Sequence, residues 1–160
     1  MGHDKVYVEL IKAYYETGIA DWVSPSDMEK NIERAHKWEN LLLGKQVPDL
    51  ACMDSANVWH NTRDCNKDFK ILLFWSPGCG HCSVEVPKYD KFYKEKKDIY
   101  SVEIFAINTE SDLEAWKKFI KEKDLQWINL NGLVANYDWR EYFDIEKTPI
   151  MFILDKMKNY

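Results

Sequence analysis

The chain has 160 residues, a net charge of −5, and 46% hydrophobic and 14% aromatic residues. That is enough apolar material for one packed core, so the expectation is one main domain with a small appendage. No apolar run approaches the roughly 18–20 residues that a membrane-spanning helix needs. Charge is dispersed along the chain, which excludes a basic nucleic-acid patch and leaves the mild acidity to serve solubility. Four cysteines, Cys52, Cys65, Cys79 and Cys82, are too few to staple a domain of this length.

Residues 5–20 place Tyr7, Ile11 and Tyr14 on one helical face, with Val6, Leu10 and Ala13 beside them. Gly18 weakens the end of that helix. Ser24-Pro25-Ser26 opens a second helix, in which Ser26 and Glu29 have the spacing of a capping box. Met28, Ile32, Ala35 and Leu42 form its apolar stripe, and Gly44 suits its stop. Residues 1–44 are therefore predicted to be a helical extension, with the main domain at 45–160. His36, between Ala35 and Lys37, reads as a surface or packing histidine. No apolar leader before a small-residue cleavage site is visible.

Residues 50–70 predict a short strand, a polar turn and a second short strand or loop. An apolar strand follows at 70–75, then a helix at 83–97 with Val86, Tyr89 and Tyr93 on one face. Residues 100–108 read as a strand buried on both faces. Residues 111–123 read as a helix, with Ser111 and Glu114 as its capping box and Leu113, Trp116 and Ile120 turned inward. A strand at 126–130, a short helix at 137–143 and a strand at 149–154 complete the alternation, and 155–160 resembles a turn entering a further strand. Strands alternating with helices define an α/β fold whose central strands are parallel. The Lys- and Glu-rich runs at 94–97 and 121–124 read as solvated helix ends. Trp22, Trp38, Trp59, Trp116, Trp127 and Trp139 read as packing residues.

The chemistry concentrates where the strand at 70–75 meets the helix after it. Ser76-Pro77-Gly78 breaks the strand, and Cys79-Gly80-His81-Cys82 follows. Cysteines at i and i+3 on a first helical turn bring their sulfurs together. The helix N-terminus favours an anion on the first, which makes Cys79 the nucleophile and Cys82 the resolving thiol. Gly80 and His81 tune the pair: positive charge or a hydrogen bond from His81 stabilises the thiolate and makes the site more oxidising. A zinc half-site is the competing reading. Cys52 and Cys65 lack the spacing of a second knuckle, and His81 lies between the two ligands it would have to join. No metal is expected.

At these residues the chain resembles the thioredoxin-like superfamily, and within it the TlpA/ResA-type bacterial thiol–disulfide oxidoreductases. The resemblance covers about residues 45–155. Trp75 precedes Cys79 as in F-W-x-x-x-C-x-x-C, and Pro87 falls where the active-site helix carries a kinking proline. Glu85-Val86-Pro87 resembles the E-x-P of this branch, and Thr148-Pro149 matches the family's cis-proline. The helix and strand over 111–130 resemble the branch's insertion.

The resemblance implies a three-layer sandwich around a mixed sheet, with the 1–44 extension in front. It also implies a final strand and helix after residue 154 that the chain ends without, leaving the strand at 150–154 as an open edge. Its implied substrates are cysteine-containing proteins, with an upstream thiol reductant or oxidant protein as electron partner and no cofactor beyond a Cys79–Cys82 disulfide. The implied location is the bacterial periplasm or outer envelope, with a lipid anchor in a longer protein. Trp75, Gly78, Thr148 and Pro149 would line the substrate groove, Thr148 offering its backbone to an extended peptide.

Three departures stand out. Gly78 replaces a frequent aromatic and is expected to open that side of the groove. Leu73 occupies the position of a buried aspartate in thioredoxin itself. Glu85 either takes over part of that aspartate's role or is simply solvated or salt-bridged. Cys52 and Cys65 read either as a structural disulfide or as free thiols. The principal functional reading is a thiol–disulfide oxidoreductase. A disulfide oxidase or isomerase of the same fold, and a non-catalytic binding or redox-sensing module, stand as alternatives.

Overall fold

The computed structural model describes residues 3–156. At the front, α1 (Asp4–Leu10) runs on through a wider π-type turn at Ile11–Tyr15 and ends there, short of the predicted residue 20. Gly18, at φ +73°, lies in the left-handed region that closes helices. The second helix, α2 (Pro25–Asn40), is capped by Ser24 and not by the predicted Ser26. Asp27 N–H donates to Ser24 Oγ at 3.2 Å, and Pro25 takes the first helical position, where its missing N–H costs nothing. The helix stops before Leu42, so that residue lies outside the stripe predicted for it. His36 is on the surface, its Nε2 2.8 Å from Glu16 Oε1.

The sheet begins with β1 (Ala51–Asp54) and β2 (Trp59–Asn61), an antiparallel pair turned through Asn57 at φ +64°. Strand β3 (Phe69–Trp75) leads into α3 (Gly80–Lys96), then β4 (Val102–Asn108) and α4 (Leu113–Lys123). Strand β5 (Ile128–Ala135) extends well past the predicted 126–130, and β6 (Ile150–Leu154) comes last. One six-stranded sheet results, in the order β2-β1-β5-β4-β3-β6. The pairs β3·β4 and β4·β5 are parallel, whereas β6 runs antiparallel to β3 along the sheet's edge. The last four residues of the predicted turn at 155–160 lie outside the described residues.

Alternation along the central strands creates two cores. Leu72 and Phe74 of β3, with Phe105 and Ile107 of β4, point to one face and bury Leu130, Trp139, Phe143 and Phe152. Leu73 and Trp75, with Ile104 and Ala106, point to the other, where α3 and α4 supply Cys82, Val86 and Trp116. Strands apolar on both faces are what a parallel sheet covered on both sides requires. The mixed sheet with helical cover is the three-layer α/β arrangement expected from the sequence.

Three further local expectations differ from the structure. Helix α4 is capped by Asp112 and not Ser111: Ala115 N–H donates to Asp112 Oδ1 at 2.9 Å, and a carboxylate also suits the positive end of the helix dipole. The predicted helix at 137–143 is a single 3₁₀ turn, Trp139–Glu141. There, Asp138 accepts from Arg140 N–H, and Trp139 and Phe143 are drawn into the core around Phe74. Finally, Trp22 and Trp59 are exposed (72% and 50%) rather than packed inside.

The segment 136–149 is clamped to the front helices. Arg34 donates to Asp144 and to Glu146, each at 2.9 Å, and Trp38 Nε1 donates to Asp144 at 2.6 Å. Tyr142 Oη donates to the carbonyls of Gln46 (2.9 Å) and Asn40 (3.2 Å). That segment ends at Thr148-Pro149, which ties α2 to the chemistry described next.

Candidate active site

The site grows out of the end of β3. Ser76-Pro77-Gly78 turns the chain, and Cys79 N–H donates to the Ser76 carbonyl at 3.3 Å. Cys79 then stands as the N-cap of α3, in extended conformation (φ −80°, ψ 119°). Its carbonyl accepts the Ser83 N–H at 3.1 Å, and Ser83 Oγ donates to the Gly80 carbonyl at 2.7 Å, which tightens the first turn. A cysteine in this position puts its sulfur where the N–H groups of a helix are short of acceptors. Cys82, one turn later, is fully buried beneath it among Leu73, Trp75 and Val86. Pro87 lies inside α3.

The sulfur of Cys79 is 3.1 Å from the carbonyl oxygen of Thr148, to which the thiol donates, and the Thr148–Pro149 bond is cis. The largest influence on the Cys79 thiol is the Thr148 side chain, whose hydrogen bond favours the thiolate. Together with the Cys82 and His81 amides, it holds that thiol below the ordinary range against the opposing effect of partial burial. Cys82 behaves oppositely: burial pushes its thiol up to about 11. The two thiols of one motif are thus driven apart, one partly exposed and acidic, the other enclosed and protonated.

The remaining predicted site residues fall into three groups. Thr148 and Pro149 stand beside the dithiol, both half-buried. Gly80 and His81 are exposed on the first turn of α3; a Cβ on Gly80 would meet open space, and among the described residues the His81 ring has no hydrogen-bond partner. Trp75, expected to line the groove, is fully buried against Phe119 at 5.0 Å and supports the dithiol from beneath. Glu85 is turned away to Lys88, 2.7 Å distant.

The Glu110 carboxylate lies against Gly78, on the side of the groove that Gly78 is expected to open. A Cβ at residue 78 would stand 2.9 Å from Glu110 Oε2. Sequence reading missed Glu110, which no motif marks. It is held by its own turn, where Asn108 Nδ2 donates to the Glu110 carbonyl at 2.6 Å. Away from the site, Cys52 and Cys65 are free thiols, the first fully buried with its thiol pushed up to about 12. Among the described residues, no group of three or more His, Cys, Asp or Glu side chains is placed to hold a metal ion, and no helix is long and apolar enough to cross a membrane.

The fold agrees with what the chain is similar to. Residues 66–160 match the Thioredoxin-like family, and the chain belongs to that family. The thiol-disulfide oxidoreductase ResA of Bacillus thuringiensis subsp. konkukian is 26% identical over 123 residues, spanning 75% of this chain and 68% of that protein. A domain of a possible thiol-disulfide isomerase from Cytophaga hutchinsonii is 33% identical, with a TM-score of 0.67 over 74% of this chain and 81% of its own. A thioredoxin-like protein from Bacteroides caccae, only 16% identical, shares the fold over 98% of this chain and 56% of its own length at a TM-score of 0.79, which takes in the front helices. At the level of the family, the function is thiol–disulfide oxidoreduction, carried by cysteine redox chemistry without a cofactor.

Proposed function

We propose that Cys79 and Cys82 are the redox pair and that they exchange disulfides with cysteine-containing proteins. The observation that carries this reading is Cys79 at the N-terminus of α3 with its sulfur against Thr148, directly above a buried second thiol. The Cys79 thiolate attacks one sulfur of a substrate disulfide, forms a mixed disulfide and releases the other substrate sulfur as a thiolate. Cys82 then attacks the Cys79 sulfur. Its proton leaves with the second substrate thiol, and a Cys79–Cys82 disulfide remains. Two electrons have passed to the substrate, so an upstream thiol protein must reduce the pair before the next cycle.

Thr148 offers backbone groups to a substrate strand beside the dithiol. Gly78, with Glu110 against it, forms the opposite lip, while Gly80 and His81 tune the potential from the exposed turn. The main unit is taken as 45–160, with 1–44 as an extension fixed to it. The resemblance to ResA supports an extracytoplasmic setting, periplasm or outer envelope. Replacing Cys79 with Ala abolishes insulin reduction while leaving the circular dichroism unchanged; undiminished turnover by that variant overturns the reading.

A second reading, oxidase or isomerase, is favoured by one specific feature. A thiolate stabilised in the reduced form makes a dithiol more oxidising. Equilibration with a glutathione series separates the two. A potential near about −270 mV marks a reductase, and one near about −180 mV marks an isomerase.

A further inference from the structure

Beside Thr148 a hollow of about 410 Å³ is bounded by Thr109, Arg140, Lys147 and, from α2, Lys37. It adjoins a second hollow of about 370 Å³ that shares Lys37 and Arg140 and runs onto the face of α2 carrying His36 and Asn40. Sharing those two residues, they form one groove that runs from Thr148, the residue against the Cys79 sulfur, to α2. The first hollow carries three cations, Lys37, Arg140 and Lys147, against two carboxylates, Asp144 and Glu146, a local positive excess in a chain of net −5, whereas in the second Glu33 and Glu141 balance Lys37 and Arg140. Of the carboxylates along the first hollow, Asp144 is held by Arg34 and Trp38, and Glu146 by Arg34.

The cations are less engaged. Lys147, exposed and one residue before Thr148, has no ion-pair partner among the described residues. Arg140 is laid flat over the Trp139 ring at 4.1 Å and anchored by one bond to the Thr109 carbonyl at 3.3 Å, with Asp138 at 3.7 Å. That fixes its guanidinium in the groove with further N–H donors free. Among the described residues, Lys37 is ion-paired only with the exposed Glu33, at 3.2 Å. Glu33 and Glu141 border the second hollow, and Glu110 holds the opposite lip beside Gly78, so the positive side of the groove is the Thr148 side.

We propose that this groove selects disulfides whose cysteine is flanked by acidic residues, which are read by Arg140 and Lys147 next to Thr148 and by Lys37 of α2 farther along. The proposal rests on the dithiol reading above and names its substrate class. A planar guanidinium and an unengaged ammonium flanking an extended peptide attract carboxylates both in the encounter and in the bound state. It also gives the front helices a part in recognition, since α2 supplies the far end of the track.

The test uses the full chain, reduced, against three peptides of one sequence. Each carries a single cysteine capped as the same chromogenic aryl mixed disulfide, and the flanking positions are Glu, Gln or Lys. Attack by Cys79 releases the aryl thiolate, and its colour gives the second-order rate. At low salt the Glu peptide reacts about tenfold faster than the Lys peptide. That ratio collapses between about 0.01 M and about 1 M salt, as the screening length falls from about 30 Å to about 3 Å.

In the Arg140→Gln/Lys147→Gln protein the ratio drops to about twofold or less, and charge reversal to Glu at both positions inverts it. Equal rates in the unaltered protein, or a preference that survives both salt and substitution, overturn the proposal. Failure of the dithiol reading looks different: the Gln peptide then reacts no faster with the unaltered protein than with Cys79→Ala, and the docking proposal falls with it. The salt series on the unaltered protein decides the matter even where a double variant fails to fold.

Discussion

The opposed environments of Cys79 and Cys82 predict a measurable difference in alkylation. With the Cys82 thiol at about 11, only about one molecule in a thousand carries that thiolate at pH 8. A thiol at the ordinary value of about 8.5 would be about one-quarter ionised there, so ionisation alone favours the first cysteine by about 240-fold. Nucleophilicity works the other way. A Brønsted slope of about 0.4–0.5 over about 2.5 pKa units returns about 10–18-fold to the less acidic thiolate. The net preference for Cys79 is on the order of 13–24-fold. Lowering its pKa further changes this little, since a larger thiolate fraction is offset by a weaker nucleophile. The burial of Cys82 then adds to the preference. Iodoacetamide rates at pH 8, measured in Cys79→Ala and Cys82→Ala proteins and mapped by mass spectrometry, read the ratio directly. Comparable rates at the two cysteines would refute the assignment of opposite environments.

Three further outcomes follow from the same structure. Between pH 8 and about 9.5 an unfolded thiol gives up its proton while buried Cys52, at about 12, keeps it; the native state then holds more protons, and stability falls as pH rises. Denaturant titration should therefore show the natural chain losing about 1 kcal/mol more over that interval than Cys52→Val does. Gly132→Ala forces a Cβ onto the Asn108 carbonyl and to 2.7 Å from Ile107 Cγ2. Overpacking of this kind costs about 1–3 kcal/mol, to be read as a lowered denaturation midpoint. Gly80→Ala meets no atom and removes freedom from the unfolded chain, so it should raise stability by about 0.4–1 kcal/mol while shifting the dithiol potential measurably.

What could be read from the chain was whatever is local or rhythmically spaced. The strands at 70–75 and 100–108 hold unbroken apolar runs at 71–75 and 104–107, and burial of those runs on both faces in the parallel centre of the sheet follows from that. Cys79 and Cys82 carry their chemistry in residue type and spacing, whereas Pro87 and Thr148-Pro149 are picked out only by the resemblance to the thioredoxin-like superfamily. Helix starts were less secure: Ser24 competes with Ser26 and Asp112 with Ser111, and a shift of one or two residues decides which oxygen faces the free amides. The stretch at 137–143 has helical content, but the pull of Trp139 and Phe143 into the core overrides it. Trp22 and Trp59 show that a large apolar side chain need not be an inside one.

What stayed hidden depends on which distant elements meet. Glu110 touches Gly78 because β3 and β4 are neighbours in register, Trp75 opposite Asn108, so that the loops leaving both strands come together at the same end of the sheet. Arg34 reaches Asp144 across 110 residues only because α2 lies over the segment 136–149. That clamp bears on the chemistry. The segment it holds ends at Thr148, whose side chain is the largest influence on the Cys79 thiol, and it also carries Arg140 and Lys147. A front extension that looks idle in the sequence thus fixes, through Asp144, Glu146 and Tyr142, the strip of chain that carries Thr148 to the Cys79 sulfur and lines the hollow beside it.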